Sequence, residues 1–362
     1  MTDATCPSCG AVVAVGAKFC ESCGKPLGGN PPAAPVAPTA VDDLSPISAP
    51  THRKVADSDV VAGPRPCLSC GGAVGPDGYC ETCGAKAPTE RDHFRETPAS
   101  WVAGVCDRGI VHHRNEDAMA LLASEGRAVL VVLDGVSNSI DSDVASLAGA
   151  KAARDVLATP FPQGMGTPAS RTGAITKVLA EAATAANDAV VAATDPASTN
   201  PASATFAVAV LEGSLLAYAN IGDSRVYWLP DGGPAVQLTV DDSAAQQQIE
   251  AGVPRAVAET SKDAHAITKW LGRDAPDVTP RTGQVELTGP GWLVACSDGL
   301  WNYASEPDAL AAQVAAAGTA VPLDLALALV AFANAQGGRD NITAAVARVE
   351  QNASEPATAG GA

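Results

Sequence analysis

Apolar runs and helical-period stretches alternate along residues 101–351, whereas the segments before them hold too few apolar positions to bury a core. A strand is predicted at Trp101–Cys106, then the polar loop DRGIVHHRNEDAM, then a continuous apolar run, Ala128–Gly135, reading AVLVVLDG. Unbroken apolar runs of this length suit strands buried on both faces. Alanine, leucine and valine at helical spacing predict helices over Ser142–Ala158 and about Gly173–Ala193. SATFAVAVLEG and SLLAYANIGDSRVYWLPDGG follow, their Glu-Gly and Gly-Asp turns implying antiparallel pairing. A second run, Trp292–Trp301 (WLVACSDGLW), precedes helices over Pro307–Ala317 and Leu323–Ala335 and a last strand over Asn341–Glu350. Strands and helices in separate groups predict an α+β domain whose sheets are covered by helices.

At 362 residues the chain has room for one large domain with appendages. The 40 acidic against 23 basic residues, a net charge of −17, argue against a nucleic-acid or anionic-membrane surface and favour a metal site. Cys6 and Cys9 stand where a signal peptide would carry its apolar core, and no apolar run reaches membrane-spanning length, so a cytoplasmic protein is expected.

Eight of the ten cysteines form four Cys-x-x-Cys pairs. Cys6, Cys9, Cys20 and Cys23 suit one tetrahedral zinc ion, and Cys67, Cys70, Cys80 and Cys83 repeat the unit for a second. Each unit is too short for a core, so zinc must supply its folding energy. Neither carries the basic, aromatic face of a nucleic-acid finger, which leaves docking of a protein partner. The expected division is a ribbon at 1–27, a Pro/Ala-rich tether at 28–66, a second ribbon at 67–86, a linker at 87–100, the main domain at 101–351 and a disordered tail at 352–362. Cys106 and Cys296 lie in apolar strands and read as small buried hydrophobes, and Trp228, Trp292 and Trp301 as packing residues.

Acids recur at turns beside apolar strands: Glu116 with Asp117, Asp134, Asp223, Asp298 and Asp340. Carboxylates gathered in this way repel one another unless cations neutralise them. Oxygen ligands without a histidine cluster favour Mg²⁺ or Mn²⁺.

In order and wording, DRGIVHHRNEDA, VVLDG, ANIGDSRVYWL, QLTVDDS, ITKWLG, LVACSDGLW and GGRDNITAAV resemble the bacterial type 2C metal-dependent protein phosphatases across essentially the whole large domain. The resemblance implies a β-sandwich of two antiparallel sheets flanked by helices (αββα), with two metal ions at one end. It implies that Asp134 bridges the ions and that the carbonyl of Gly135 reaches one of them. Asp298 and Asp340 would complete the first site and Glu116 would serve the second; Asp223 would either join Asp298 at a weaker third or cap a turn between strands. A metal-bridging water would attack phosphoserine or phosphothreonine directly, on proteins that are targets of a serine/threonine kinase.

Three departures from the family pattern alter this picture. His112 stands where most members have an arginine that grips phosphate, and in an extended segment His112, Arg114 and Glu116 would share one face. Arg114 or a protonated His112 is therefore a candidate clamp, the alternative being that His113 and Arg114 are simply solvated. After Gly135 the chain reads VSNSIDSD in place of a glycine-rich stretch with a histidine, which leaves His112 or a metal-bound water to protonate the leaving group. Asp242 replaces another histidine, at the start of a polar flap over Asp241–Gly272. These changes keep open a competing reading, a weakly catalytic scaffold that binds phosphoproteins.

Overall fold

The computed structural model describes residues 4–5, 12–13, 72–75, 78–84, 87, 89–136, 139 and 141–350. The chain divides into two units, Met1–Gly63 and Pro64–Ala362. In the first, Ala4–Thr5 pairs antiparallel with Val12–Val13. Cys6, Cys9, Cys20, Cys23, Cys67 and Cys70, the 28–66 tether and the 352–362 tail lie outside the described residues. Cys80 and Cys83 lie inside them, Cys80 buried and in backbone register with Val74.

The larger unit is built from long strands in two antiparallel sheets. In chain order these are β1 (His93–Ala99), β2 (Val102–Asp107), β3 (Ala118–Ser124), β4 (Arg127–Leu133), β5 (Phe206–Glu212), β6 (Leu215–Ile221), β7 (Arg225–Pro230), β8 (Val236–Gln237), β9 (Arg281–Glu286), β10 (Gly291–Cys296) and β11 (Ile342–Val349). One sheet runs β8-β7-β10-β11-β2-β1 and the other β9-β6-β5-β4-β3. Helices α1 (Ser142–Val156) and α2 (Pro168–Ala192) cover the second sheet. Short α3 (Ala244–Glu250), α4 (Arg255–Ala258) and α5 (Asp298–Trp301) come next, and α6 (Pro307–Ala317) and α7 (Pro322–Ala335) cover the first sheet. The α+β, αββα expectation is met.

Three apolar layers explain the unbroken hydrophobic runs. Along β4, Leu130 and Val132 point between the sheets, while Val129, Val131 and Leu133 point at the helices. Along β10, Leu293 and Ala295 join the inter-sheet layer and Val294 and Cys296 pack on α6 and α7. Both faces are buried, so no polar alternation survives. No single described helix is long and apolar enough to cross a membrane.

Two boundaries differ from expectation. The 87–100 linker contains β1, which pairs with β2 from His93↔Asp107 to Ala99↔Val102 across a bulge between Glu96 and Ala99. It is an edge strand carrying charges and Pro98, features that blunt an edge and hide a strand in the sequence. Helix α2 begins earlier than Gly173, because Thr167 caps it, accepting from the Ser170 amide at 3.2 Å, with Pro168 in the first turn.

Register aligns the functional loops. Arg225 lies opposite Cys296, Cys296 opposite Ala344, and Ile342 opposite Asp107. The segments holding Asp223, Asp298, Asp340 and the 108–117 loop therefore emerge at the same end of one sheet.

Candidate active site

Each acid is held by its backbone. Asp134 follows β4; its amide donates to Thr205 Oγ1 at 2.9 Å and its carbonyl accepts from the Thr205 amide at 2.8 Å. At Gly135 a Cβ would stand 2.7 Å from the Glu116 carbonyl oxygen and 2.9 Å from that of Ser142, so only glycine fits between the two segments. Asp298 opens α5, and a side chain at Gly299 would collide with the Asn341 carbonyl. Asp340 follows the Gly337–Gly338 turn (φ 133° and 49°), and its Oδ1 accepts from the Asn341 amide at 2.8 Å.

Asn341 staples these parts together. Its Oδ1 accepts from the Glu116 amide at 2.7 Å, and its Nδ2 donates to the carbonyls of Arg108 at 2.7 Å and Arg114 at 3.0 Å. The loop bearing His112 to Glu116 is thereby fixed to the segment bearing Asp340.

Burial pushes the carboxyls up, and they reinforce one another. Asp134 rises well above the usual range through burial, then through the charges of Asp117, Asp298, Asp340 and Asp223. Burial raises Asp298 to about 6, with Asp340 adding to it, and Asp117 to about 7 despite hydrogen bonds from Ser297 at 2.6 Å and Thr343 at 2.7 Å. Asp223 also rises, through burial and then Asp298. Asp117 Oδ1 and Asp298 Oδ1 are buried with no hydrogen-bond partner among the described residues. Repelling carboxyls with orphaned oxygens form a donor set that divalent, oxygen-seeking cations fit. Asp223, Asp298 and His265 also offer ligand atoms within 4.8 Å of one another.

Residues 110–321 match the family model described as Protein phosphatase 2C, and residues 6–84 match that described as Double zinc ribbon. The chain belongs to the protein phosphatase 2C family. It is 34% identical over 140 residues to protein phosphatase PhpP of Streptococcus pneumoniae, an alignment covering 38% of this chain and 54% of that relative. The chain thus spans about half the length of the first curated relatives it matches. The crystal structure of the Mycobacterium tuberculosis serine/threonine phosphatase PstP/Ppp superposes with a TM-score of 0.57 at 26% identity, over 69% of this chain and 98% of that one. A structure of the PstP catalytic domain in complex with 2 manganese ions gives 0.52 at 26% identity, over 69% and 98%.

Within this protein phosphatase 2C domain, Asp134, Asp223, Asp298 and Asp340 share one electrostatic cluster. Glu116 is buried, its Oε1 accepting from Arg114 Nη2 at 2.6 Å and from Ser142 Oγ. Arg114 also donates to the Ser139 carbonyl at 2.8 Å and to Ser142 Oγ at 3.1 Å. His112 lies between acids, Nε2 3.3 Å from Asp340 Oδ1 and Nδ1 3.8 Å from Glu116 Oε2. Residues 108–117 form a loop, yet both His112 and Arg114 converge on Glu116. The Asp242 carboxylate accepts from Arg281 at 2.8 Å.

Asp117 and His265 add to the expected set. The sequence shows Asp117 only as the neighbour of Glu116, and His265 only as part of the flap. That flap is anchored by buried Arg225, which donates to Asp241 at 2.7 Å and to Glu259 at 2.9 Å while stacking 3.5 Å over the Trp301 ring. The Trp301 indole donates to the Asp223 carbonyl at 2.8 Å, so it packs the site wall. Burial pushes the Cys106 thiol up to about 12, and that of Cys296 higher still, which leaves both without nucleophilic thiolate. The cluster opens into a cleft of about 620 Å³ that includes Asp298 and Asp340. A larger one of about 710 Å³, beside Arg171 and Glu286, holds none of these acids.

Proposed function

We propose that the chain is a Mg²⁺- or Mn²⁺-dependent serine/threonine protein phosphatase that hydrolyses phosphoserine and phosphothreonine in proteins. The supporting observation is the cluster of buried Asp117 and Asp223 with half-buried Asp134 and Asp298, all raised and with two orphaned oxygens. A domain that only bound phosphoproteins would have no use for like charges buried together.

Asp134, Asp298, Asp340, Glu116 and the Gly135 carbonyl would hold two ions, and Asp223 with Asp298 a third. Bound ions would supply positive charge for the phosphoryl oxygens and lower the pKa of water, the chemistry that direct hydrolysis of a phosphate ester calls for. The remaining work falls to this chain's own side chains. Asn341 fixes the spacing between Glu116 and Asp340. Arg114 and Ser142 orient the Glu116 carboxylate. His112, between two acids, is placed to hold a proton for the departing alkoxide. The zinc ribbons, with Cys6, Cys9, Cys20 and Cys23 on one ion and Cys67, Cys70, Cys80 and Cys83 on the other, would dock a protein partner.

The test is hydrolysis of a phosphothreonine peptide by the full chain with and without Mn²⁺ or Mg²⁺. Activity should require the metal and vanish in Asp134→Asn and Asp298→Asn. Turnover that persists in chelator, or in either variant, overturns the proposal.

A further inference from the structure

We infer that Arg339 is the residue that grips the substrate's phosphate, in a role that neither His112 nor Arg114 is free to fill. The inference rests on the phosphatase reading above. A phosphate dianion approaching Asp298 and Asp340 would meet bound ions with some of its oxygens, and a cationic side chain on the wall of the same cleft suits the others.

The two expected candidates are already engaged. Arg114 spends Nε and Nη2 on Glu116, Ser139 and Ser142, and its Nη1 faces Asp143 at 3.9 Å. His112 is placed between Glu116 and Asp340. Any charge either one carries is offset by a neighbouring carboxylate.

Arg339 differs in every respect. It lines the same 620 Å³ cleft as Glu259, His265, Asp298, Tyr303 and Asp340, and it is the only arginine or lysine among the lining residues. Among the described residues no hydrogen bond or ion pair engages its guanidinium, although acids stand nearby; the one bond at this residue is from its backbone amide to the Tyr303 hydroxyl, at 3.1 Å. That bond and the Gly337–Gly338 turn fix its Cα directly before Asp340. An exposed guanidinium on a fixed backbone beside the acid cluster suits the planar, two-point recognition of a phosphate. His265, the other basic lining residue, already faces Asp298 Oδ2 at 4.0 Å.

The experiment compares the full chain with Arg339→Ala and Arg339→Lys in Mg²⁺, using a phosphothreonine peptide, p-nitrophenyl phosphate and inorganic phosphate as inhibitor. Arg339→Ala should raise KM for both substrates and the inhibition constant of phosphate by about tenfold or more, the worth of a lost charge-assisted bond. Its kcat should stay within about threefold, because binding made equally in ground and transition states appears in KM. Arg339→Lys should recover part of the loss, keeping the charge without the fork. Unchanged KM and unchanged phosphate inhibition in Arg339→Ala overturn the inference. So does a rise confined to the peptide, which would mean that Arg339 reads an acidic side chain of the substrate. If the wild-type chain shows no metal-dependent hydrolysis, the phosphatase reading fails. Calorimetric binding of inorganic phosphate to the Mg²⁺-loaded chain then judges Arg339 separately: weaker binding in Arg339→Ala supports it, and equal binding overturns it.

Discussion

His112 Nε2 lies 3.3 Å from Asp340 Oδ1, which couples the loop before β3 to the loop before β11 across an interval of 228 positions (340 less 112). The other ring nitrogen faces Glu116 at 3.8 Å. That position, beside the acids proposed to hold the ions, puts the imidazole where it can pass a proton to a leaving group. His112→Gln should therefore lower kcat on phosphoserine peptides by about a hundredfold, within the range for a lost general acid. On p-nitrophenyl phosphate, whose leaving group departs without a proton, the loss should be several times smaller. Equal losses on both substrates would remove His112 from that role.

Asp134→Asn and Asp298→Asn should affect activity and stability in opposite directions. Each removes a proposed ion ligand and should abolish turnover, yet each also removes a charge from a repelling set. Thermal melts in chelator should show a higher midpoint for both variants than for the wild type. A lower midpoint would mean that the carboxylates stabilise the fold without cations.

The same repulsion fixes a pH dependence. Asp298 and Asp117 are raised from 3.8 to about 6 and about 7, so the folded state holds these protons longer than the unfolded chain does. In chelator their contribution to stability is therefore full below pH 3.8 and is lost as the pH rises through 6 and 7. Denaturation midpoints measured in chelator at successive pH values across that window should fall. Saturating Mn²⁺ should remove most of the decline, because cations stabilise the ionised acids. A midpoint insensitive to both pH and Mn²⁺ would contradict the shared acid cluster.

Two glycines separate crowding from backbone freedom. A side chain at Gly299 meets the Asn341 carbonyl, so Gly299→Ala should destabilise by about 2–3 kcal/mol and shift Asp298. Gly173 lies exposed within α2 with open space around it, so Gly173→Ala should stabilise by about 0.5–1 kcal/mol. Urea denaturation of the two variants measures both signs.

Arg225 is buried against Asp241 and Glu259 beneath the flap. Arg225→Leu leaves the Asp241 carboxylate buried without its partner and should cost about 3–5 kcal/mol. Limited proteolysis should then cut first within Ala244–Glu259, since Arg225 is the residue that ties Glu259 to Asp241.

Local patterning specifies most of the architecture and the principal acids. Asp134, Asp298 and Asp340 were legible because local pattern marks them: a buried apolar strand ends or begins beside each, with glycine where the backbone must pass closely. Strand β1 was not legible, since an edge strand with charges and Pro98 lacks the apolar signature that burial imposes on β4 and β10. Tertiary structure alone decided what surrounds the acids. Register across β7, β10, β11 and β2 brings residues 223, 298, 340 and 108–117 to one end of a sheet, and no local pattern encodes that proximity. It also decided that Arg114 closes on Glu116, that His112 sits between two acids, and that the guanidinium of Arg339 remains open to the cleft. Residue type sets what a side chain can bind; only the packed neighbours decide which of those bonds are already made.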